Sequence, residues 1–591
     1  MNLTAEQNDM IKYALRGDNI LVDACIGSGK TTTIQTLCNK IPETKKVLYL
    51  TYNKLLKEDA RDRILNKNIT VTNYHGFAWM LLKQNGLSAG VSDMIQTVLK
   101  HNLSSPRYDI MIVDEYQDID QEIAQLLEII KRSTPKIQII MVGDMAQKIY
   151  DKTTLQVMPF VDFFMGTYTK IAFTECFRLS NTYGAQFQRI WEKPIKGTNN
   201  DQKVKLMSVS KVINYLSNKN PGDILCLGMR SGNMAVVLNE LEKLYPKKFN
   251  KYTVYASIKD GEQLAKPGKD TAIFTTYDSS KGLERKICVI FDFEYSYWNV
   301  RARNADANPA ILRNIFCVAA SRGKEEIIFV KPQIDERKAK DSKKVMKVSD
   351  IKKYYDNCEI STIRLPYNIS TMFDFKYIED IEELFGMISV KQLSVTDNSV
   401  IDIKALDGMI DLSPCIGIYQ EASFFKNYDI DEAIKFAKKM NSAKAFQLNY
   451  VGETVEEKIL SLTAFETGQI RYRNQIKPPF VSDAQKELIH ERLNTVFDGN
   501  ETVQGDCDIF APGFEIKGKY DVYKNDMIYE LKFVSELKHP HFLQLACYLC
   551  ATGVDTGILW NIRDNTTFEV AIPNKNLFYK KMLKTITKRA F

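Results

Sequence analysis

The sequence lacks any apolar run that reaches the ~18 residues needed to span a bilayer. Its first residues, Met1 to Gln7, lack the apolar core of a secretory signal peptide. It has no internal repeat and no low-complexity tract. These absences argue against a membrane or secreted protein, so we expect a soluble protein of the cytoplasm, or of the nucleus or a viral replication site in a eukaryotic or viral setting.

The sequence also lacks the cysteine spacing of a disulfide framework. Its 11 cysteines are scattered and mostly lie in apolar stretches, as Cys226, Cys288 and Cys317 do. This distribution predicts buried thiols in a reducing compartment. The excess of one sign of charge over the other is small as well, because 80 basic and 73 acidic residues leave a net charge of only +7. Such a balance permits a polyanionic partner without establishing one.

What the sequence does contain is an ordinary globular composition, with 45% hydrophobic and 26% charged residues over 591 positions. A chain of this length should form three to five domains. Short β-branched runs alternate with helical patterns, which is typical of parallel sheets in α/β domains. The runs are 20–24, 47–51, 110–114 and 137–142 for a first sheet, and 224–227, 271–275, 287–291 and 326–330 for a second.

A glycine-rich turn follows the first apolar run, at Ala24-Cys25-Ile26-Gly27-Ser28-Gly29-Lys30-Thr31. Glycines let backbone N–H groups close on phosphate oxygens, and a helix N-terminus adds partial positive charge. Lys30 would reach the β- and γ-phosphates, and the Thr31 hydroxyl would take a Mg²⁺ position. Ala24 stands where the usual pattern has its first glycine, so on this stretch alone a plain strand-to-helix turn stays an alternative.

Paired acids follow the apolar run at 110–113, in Asp114-Glu115-Tyr116-Gln117-Asp118. An acid at the carboxyl end of a buried strand is where a nucleotide-binding sheet holds Mg²⁺. Asp114 is therefore predicted to bind the metal, and Glu115 to polarise the attacking water. Taken alone, the pair could also be a solvated strand end.

With these motifs in order, residues 1–330 resemble the superfamily 1 DNA helicases of the UvrD/Rep type. Matching stretches are Leu3–Gln7, Leu50–Lys54, Thr72–Phe77, Val142–Tyr150, Thr174–Arg178, Asp278–Glu284 and Phe316–Gly323. The resemblance implies two RecA-like domains with ATP bound between them, and it places Arg178 and Arg322 in the second sheet. It implies that Gln7 and Phe177 contact adenine, and that Gln147, Arg178 and Arg322 contact the γ-phosphate. The residues implied to surround the phosphates are Gly27, Ser28, Gly29, Lys30, Thr31 and Thr32. Glu284 is implied to couple nucleotide to DNA, and the residues implied to contact single-stranded DNA are Tyr52, His75 and Phe77.

Three positions depart from that family's pattern. Thr32 stands where an arginine often stacks on adenine, so selectivity for adenine is less firmly implied. Lys152 replaces an expected tryptophan and Asp278 an expected histidine, which moves the predicted strand contacts onto the aromatic residues. The short spacing between motifs implies a compact motor, with small insertions near 80–105 and 294–310.

A second constellation lies near the C-terminus. Glu530 and Lys532 lie two apart on a predicted strand and share a face, and Asp521 lies on the strand before. Two carboxylates beside a lysine can bind Mg²⁺, or Mn²⁺, for phosphodiester cleavage. The stretch resembles PD-(D/E)xK nucleases of the RecB type, whose Gln-x-x-x-Tyr helix is matched by Gln544 and Tyr548. That resemblance makes His490 a candidate metal ligand, while a solvated hairpin face stays the alternative.

The predicted domains are 1–170 and 171–332 (RecA-like), 333–450 (linker or accessory region of unknown role, with a charged linker at 336–344) and 451–591 (nuclease-like, restriction-endonuclease-like α/β). We expect an ATP-dependent DNA helicase or translocase, 3′-5′ by resemblance, with a tethered nuclease. Its partners would be single-stranded and tailed duplex DNA, and replication or recombination proteins, but no membrane. A catalytically dead C-terminal domain and a non-unwinding remodeller of nucleic-acid complexes remain alternatives.

Overall fold

The computed structural model describes residues 3–52, 60–61, 63–229, 232–256, 267–291, 309–331, 367–395, 397, 399–401, 410–440, 448–449, 451–511 and 514–589. Within these ranges the chain forms three units, each built around one sheet. No helix in the described part is both long and apolar enough to cross a membrane. The predicted linker at 336–344 lies outside the described residues. So does the predicted insertion at 294–310, except for its last two residues, 309 and 310.

The first unit contains six strands: β1 (Ile20–Ala24), β2 (Val47–Thr51), β3 (Ile69–Asn73), β4 (Ile110–Asp114), β5 (Gln138–Gly143) and β6 (Thr169–Phe173). They form an all-parallel sheet in the order β3-β2-β4-β5-β1-β6. The four inner strands are almost wholly buried, because helices cover both faces of a parallel sheet. The helices are α1 (Ala5–Arg16), α2 (Lys30–Lys40), α3 (Tyr74–Gln84), α4 (Met94–Lys100), α5 (Gln121–Ser133) and α6 (Val157–Met165).

A two-stranded parallel ribbon, β7 (Glu175–Ser180) and β8 (Lys196–Asn199), leads into the second unit. Its strands are β9 (Lys203–Ser208), β10 (Ile224–Leu227), β11 (Val254–Ala256), β12 (Ala272–Thr275), β13 (Arg285–Ile290) and β14 (Gly323–Lys331). They form a second all-parallel sheet, ordered β11-β12-β10-β13-β14-β9. The helices are α7 (Asn181–Trp191), α8 (Val209–Ser217), α9 (Asn233–Leu244) and α10 (Pro309–Ala320). Cys25 and Ile26 of the first unit pack in one apolar cluster with Tyr183, Leu225 and Ile290, so the two units meet at the glycine-rich turn.

The third unit has a mixed sheet of β15 (Tyr367–Asn368), β16 (Ser389–Leu393), β17 (Thr502–Ala511), β18 (Phe514–Lys524), β19 (Met527–Lys532), β20 (Thr556–Asn561) and β21 (Thr566–Ala571). The order is β15-β18-β19-β20-β21-β16, with β17 also paired to β18. The helices are α11 (Ile378–Phe385), α12 (Ser413–Phe424), α13 (Ile430–Met440), α14 (Val455–Thr467), α15 (Arg471–Gln475), α16 (Asp483–Asn494), α17 (His539–Thr552) and α18 (Lys575–Ile586). Capping boxes at Thr454 and Ser482 explain where α14 and α16 begin.

Two predicted domain boundaries are corrected by this arrangement. Strand β6 belongs to the first sheet, so the first unit extends past residue 170 to Phe173. The described part of 333–450 is not a separate accessory region. Ile369 and Leu384 pack in one cluster with Leu545, and Ile416 packs in another with Trp560, because helices at both ends of this stretch cover the third sheet. The third unit therefore begins by residue 367.

The third unit contacts both of the others. Buried Arg471 forms an ion pair of 2.6 Å with buried Glu242 of the second unit. On the first unit, the His539 ring lies between two carboxylates, 2.9 Å from Asp93 and 2.7 Å from Glu382 of its own unit. These contacts attach the third unit to both of the other units.

The His539 contact predicts that stability depends on pH. Burial alone would lower the pKa of His539, but Asp93 and Glu382 outweigh it and raise this pKa to about 9. A histidine with a raised folded pKa stabilises the protein below its unfolded pKa of about 6.5, and that contribution is lost as pH rises through about 9. We expect the free energy of unfolding to fall by about 1–2 kcal/mol over this window, less than the full shift because Asp93 is half exposed. Thermal unfolding from pH 6.5 to 9.5 measures it, and His539→Gln should flatten the slope; equal slopes in both proteins would contradict the assignment.

Candidate functional sites

The turn between β1 and α2 packs against the ribbon that leads to the second unit. Gly27 has φ +67°, and a Cβ there would lie 2.7 Å from the Cβ of Arg178, so the turn requires glycine. The Gly27 carbonyl accepts a hydrogen bond of 3.0 Å from the Phe177 N–H. Helix α2 begins at Lys30, directly after the turn, and its free N–H groups can bind an anion. The geometry of this turn suits a bound phosphate.

Glu115 lies directly after β4, at the same edge of the sheet. Its carboxylate is 3.6 Å from the Lys30 ammonium and 3.8 Å from that of Lys281. Burial would raise the pKa of Glu115, but the two lysines outweigh it and lower this pKa to about 2. Glu115 is therefore an ionised acceptor at neutral pH. Lys281 comes from the second unit and also forms an ion pair with Asp118. It was not predicted as a site residue from the sequence, where the only indication was its position in the stretch 278–284.

Asp114 ends β4 and is fully buried. Burial and the neighbouring Glu115 raise the pKa of Asp114 to about 7. One carboxylate oxygen accepts a hydrogen bond of 3.1 Å from the Tyr49 hydroxyl, and the other, Oδ1, has no hydrogen-bond partner among the described residues. An orphaned buried carboxylate oxygen beside the turn suits a bound cation.

The opposite wall carries two arginines. Arg178 lies in the ribbon strand β7 and not in the second sheet, which corrects the prediction. Its guanidinium bonds Glu284 at 2.8 Å, while its Nη1 has no partner within the described part of the chain. Arg322 directly precedes β14 and is 2% exposed, and no described residue pairs with its Nε or Nη2. Burial, and then Arg178, lower the pKa of Arg322 to about 9. Glu284 also pairs with Lys324 at 2.5 Å, and these cations lower its pKa to about 2.

A cavity of about 1080 Å³ lies between these walls. Its size suits a nucleoside triphosphate, because sites of ~300–1,000 Å³ hold drug-sized ligands. At one end Phe177 is 43% exposed, and Gln7 donates a hydrogen bond of 2.9 Å to the Ser28 carbonyl. The predicted residues that line the cavity are Gln7, Gly27, Ser28, Gly29, Lys30, Thr31, Thr32, Glu115, Gln147, Phe177, Arg178, Glu284 and Arg322.

The residues present fit a triphosphate with its Mg²⁺. Buried N–H groups of Arg178 and Arg322 lack partners, and an unpaired buried guanidinium is costly unless an anion meets it. The orphaned Asp114 oxygen and the Thr31 hydroxyl are oxygen donors of the kind that Mg²⁺ prefers. The electrostatic balance of the cleft is therefore incomplete without an anionic ligand.

The three residues predicted to contact DNA have different surroundings. Phe77 is 0% exposed and packs in the core of the first unit near Tyr108, so the prediction that it stacks on DNA bases is wrong. His75 is exposed on the first turn of α3. Tyr52 is half-buried and its ring lies 6.1 Å from that of Tyr150. Contact of His75 and Tyr52 with a strand stays a prediction.

The C-terminal constellation comes together in the third unit. Glu530 is 1% exposed and accepts hydrogen bonds from Lys532 (2.7 Å) and Gln544 (2.8 Å), while its Oε2 meets no partner in the residues that the structure describes. Asp521, on the adjacent strand β18, accepts a bond of 2.8 Å from the Leu531 N–H. Burial and the neighbouring carboxylates raise the pKa of Asp521. The sequence spacing of Asp521, Glu530 and Lys532 is thus realised as one cluster.

Glu421 on α12 completes this cluster and was missed from the sequence. Gln504 donates to its carboxylate at 2.6 Å, and also lies 3.5 Å from Asp521. Burial, and then Glu530, raise the pKa of Glu421 to about 7. The predicted ligand His490 instead hydrogen-bonds Ser423 at 3.0 Å. Burial, and then Lys486, lower the pKa of His490. Its role as a metal ligand stays a prediction.

The side chains of this cluster are of the chemical type that binds a divalent cation. Glu421 and Glu530 are buried and Asp521 is partly buried; the three carboxylates repel one another, and a cation would relieve that repulsion. Among the described residues, no group of three or more His, Cys, Asp or Glu side chains is placed so that it could hold a metal ion. Binding a cation at this cluster would therefore require its side chains to move.

The chain is similar in part to one known family and to several solved structures. Residues 7–153 match the family model described as an AAA domain. No curated protein matches the chain. Among solved structures, the chain is similar to the DUF1998 helicase MrfA bound to DNA, with a TM-score of 0.34 and 14% identity over 61% of this chain and 52% of that one. It is also similar to arterivirus nonstructural protein 10, a helicase, with a TM-score of 0.28 and 13% identity over 56% of this chain and 63% of that one. For a hypothetical ATP-dependent RNA helicase from Sulfolobus tokodaii the TM-score is 0.21 and the identity 17%, over 56% of this chain and 93% of that one. The chain thus spans about half of the MrfA chain, and its likeness to the AAA domain family is limited to residues 7–153.

Proposed function

We propose that this chain is an ATP-driven helicase or translocase acting on nucleic acid, with a metal-dependent nuclease site in its third unit. The observation that carries the motor is that the partly unpartnered guanidiniums of Arg178 and Arg322 line one cavity together with the glycine-rich turn. Cations on both sides of a transferring γ-phosphate are what phosphoryl transfer requires, and an arginine of this kind can contribute ~10³–10⁵ in rate.

Each residue has a role that follows from its position. Lys30 and the turn hold the phosphates, and Glu115, kept ionised by its low pKa, orients the attacking water. Asp114 and Thr31 would hold Mg²⁺, which supplies charge neutralisation when bound. Gln147 lies between the turn and the second unit, where it can respond to the γ-phosphate. Because the walls belong to different units, hydrolysis would change how the units pack.

The nuclease proposal is supported by the buried carboxylates and Lys532. Glu421, Asp521 and Glu530 would hold Mg²⁺ or Mn²⁺, which activates water and stabilises charge on a phosphodiester. Lys532, held by Glu530 and Gln544, would orient that water or the scissile phosphate. A nuclease tethered to a motor meets the emerging strand at high local concentration. Polarity 3′-5′ and DNA as the substrate rest on the sequence resemblance.

One assay tests both halves. A duplex with a 3′ single-stranded tail and a label at each end reports strand separation and cleavage position in the same lane. We expect ATP-dependent separation and metal-dependent cutting of single strands. Separation without cutting would favour a catalytically dead third unit, and hydrolysis of ATP without separation would favour a remodeller of nucleic-acid complexes. A 5′-tailed duplex and an RNA tail serve as controls for polarity and substrate.

A further inference from the structure

Residues 148–154, here called the connecting segment, follow directly after Gln147 of the nucleotide cleft. The first half of this segment is bonded to the second unit. Asn314 donates a hydrogen bond of 3.0 Å to the Lys148 carbonyl. The Tyr150 hydroxyl donates one of 3.1 Å to the Asp278 carbonyl. Any movement of the second unit that accompanies nucleotide binding therefore acts on this segment.

The second half of the connecting segment is bonded to the N-terminus of α11 in the third unit. The Ile378 N–H donates a hydrogen bond of 2.7 Å to the Lys152 carbonyl. Glu379 accepts hydrogen bonds from the Thr153 hydroxyl and from the Thr154 N–H, the latter at 3.2 Å. Backbone and side-chain groups thus fix this half to one helix end.

A further contact comes from the C-terminal end of the described chain. The Lys588 ammonium lies 2.7 Å from the Asp151 carbonyl and 2.8 Å from its carboxylate. Lys588 is 8% exposed, so this ion pair is largely shielded from solvent. Two separate elements of the third unit therefore hold four consecutive residues, 151–154, of the first.

From α11 the contacts continue to the carboxylate cluster. Phe385, near the end of α11, stacks on the His539 ring at 3.7 Å and meets the Phe542 ring at 5.6 Å, and both partners lie in α17. Two residues further along α17, Gln544 donates its bond of 2.8 Å to Glu530. One packed route therefore joins the residue after Gln147 to a residue of the cluster.

We propose that the connecting segment couples the nucleotide state of the cleft to the carboxylate site, so that ATP binding changes the activity of that site. The inference rests on the proposed function. The segment is bonded to two units at once, and a change in their relative position cannot leave both sets of bonds unchanged. When two sites both favour one of the two positions of a shared element, a ligand at one site affects the other. Coupling of this kind changes binding or rate about 5–150-fold.

The first test uses hydrogen–deuterium exchange of the full chain with the ATP analogue AMP-PNP and Mg²⁺. We expect slower exchange in residues 27–36, where the analogue binds, and a changed exchange rate in residues 378–385. The double variant Glu379→Ala with Lys588→Met should keep the first change and lose the second. Glu383→Gln is the matched control, since Glu383 lies on the same helix but is exposed and pairs only with Lys581 of its own unit among the described residues.

The second test measures cleavage of a single-stranded oligonucleotide with and without AMP-PNP. We expect the analogue to change the wild-type rate at least 5-fold, and the double variant to reduce this factor towards one while its basal rate is kept. Binding at 27–36 without any change at 378–385 or in cleavage overturns the coupling and leaves the motor standing. No protection at 27–36 overturns the proposed function itself. If the double variant does not fold, Asp151→Asn replaces it, because this substitution alters the Asp151–Lys588 ion pair from the side of the first unit.

Discussion

Replacing Lys30 with alanine is expected to reduce nucleotide hydrolysis by about 10²–10³-fold, because loss of one preorganised charge at a transferring phosphoryl group costs this much. Lys30 is the first residue of α2 and the cation of the phosphate-binding turn. Its loss also removes the nearer of the two ammonium groups, at 3.6 Å, that keep Glu115 ionised. We therefore expect both weaker nucleotide binding and a slower chemical step, measured as steady-state phosphate release with a nucleic-acid strand present.

Lys40→Ala is the matched control, because Lys40 lies at the exposed other end of the same helix and far from the turn. It should hydrolyse nucleotide like the wild type. Cutting of a short single strand, measured without nucleotide, should survive Lys30→Ala. A Lys30→Ala protein that keeps hydrolysis within a few fold of wild type would show that the turn is not the phosphate site.

The meeting of Lys30 and Glu115 was predictable from the sequence, for a physical reason. Lys30 comes after the buried strand β1 and Glu115 directly after the buried strand β4, and the carboxyl ends of parallel strands meet at one edge of a sheet. Spacing along the chain was therefore enough to bring them together. The reach of Lys281 from the second unit to Glu115 and Asp118 was not predictable, because it depends on how two separately folded sheets pack.

The errors at the other positions have equally local causes. Phe77 was assigned to DNA from its motif, although Phe77, Ala78, Leu81 and Leu82 recur at helical spacing and form the buried face of α3. That periodicity predicted the core. Glu421 gave no comparable signal, since it lies 100 positions before Asp521 (521 minus 421) in a stretch without a motif. Only the packing of α12 on the third sheet brings its carboxylate to the cluster.

Replacing Asp521 with asparagine is expected to reduce metal-dependent cleavage by about 10²–10³-fold. The reason is that loss of an anionic ligand removes several kcal/mol of metal-derived stabilisation, and each 1.4 kcal/mol is a factor of ten. Asparagine keeps an oxygen that can accept the 2.8 Å hydrogen bond from Leu531, so the local backbone should not change. Cleavage of end-labelled single-stranded DNA with Mg²⁺ and with Mn²⁺ measures the loss, and hydrolysis of ATP should be retained.

The same substitution should not destabilise the metal-free protein, and this separates a ligand role from a structural one. Burial and repulsion from Glu530 and Glu421 raise the pKa of Asp521, so its ionised form is unfavourable in the folded state without a cation. At pH 8 we expect Asp521→Asn to have a Tm equal to or above that of the wild type without metal, and to gain less on adding Mg²⁺. Asp506→Asn on β17, where the side chain is 83% exposed, is the control and should behave as the wild type in both conditions. A lower Tm for Asp521→Asn without metal, with an unchanged gain on adding Mg²⁺, would mean that Asp521 supports the fold and that the metal, if any, binds elsewhere.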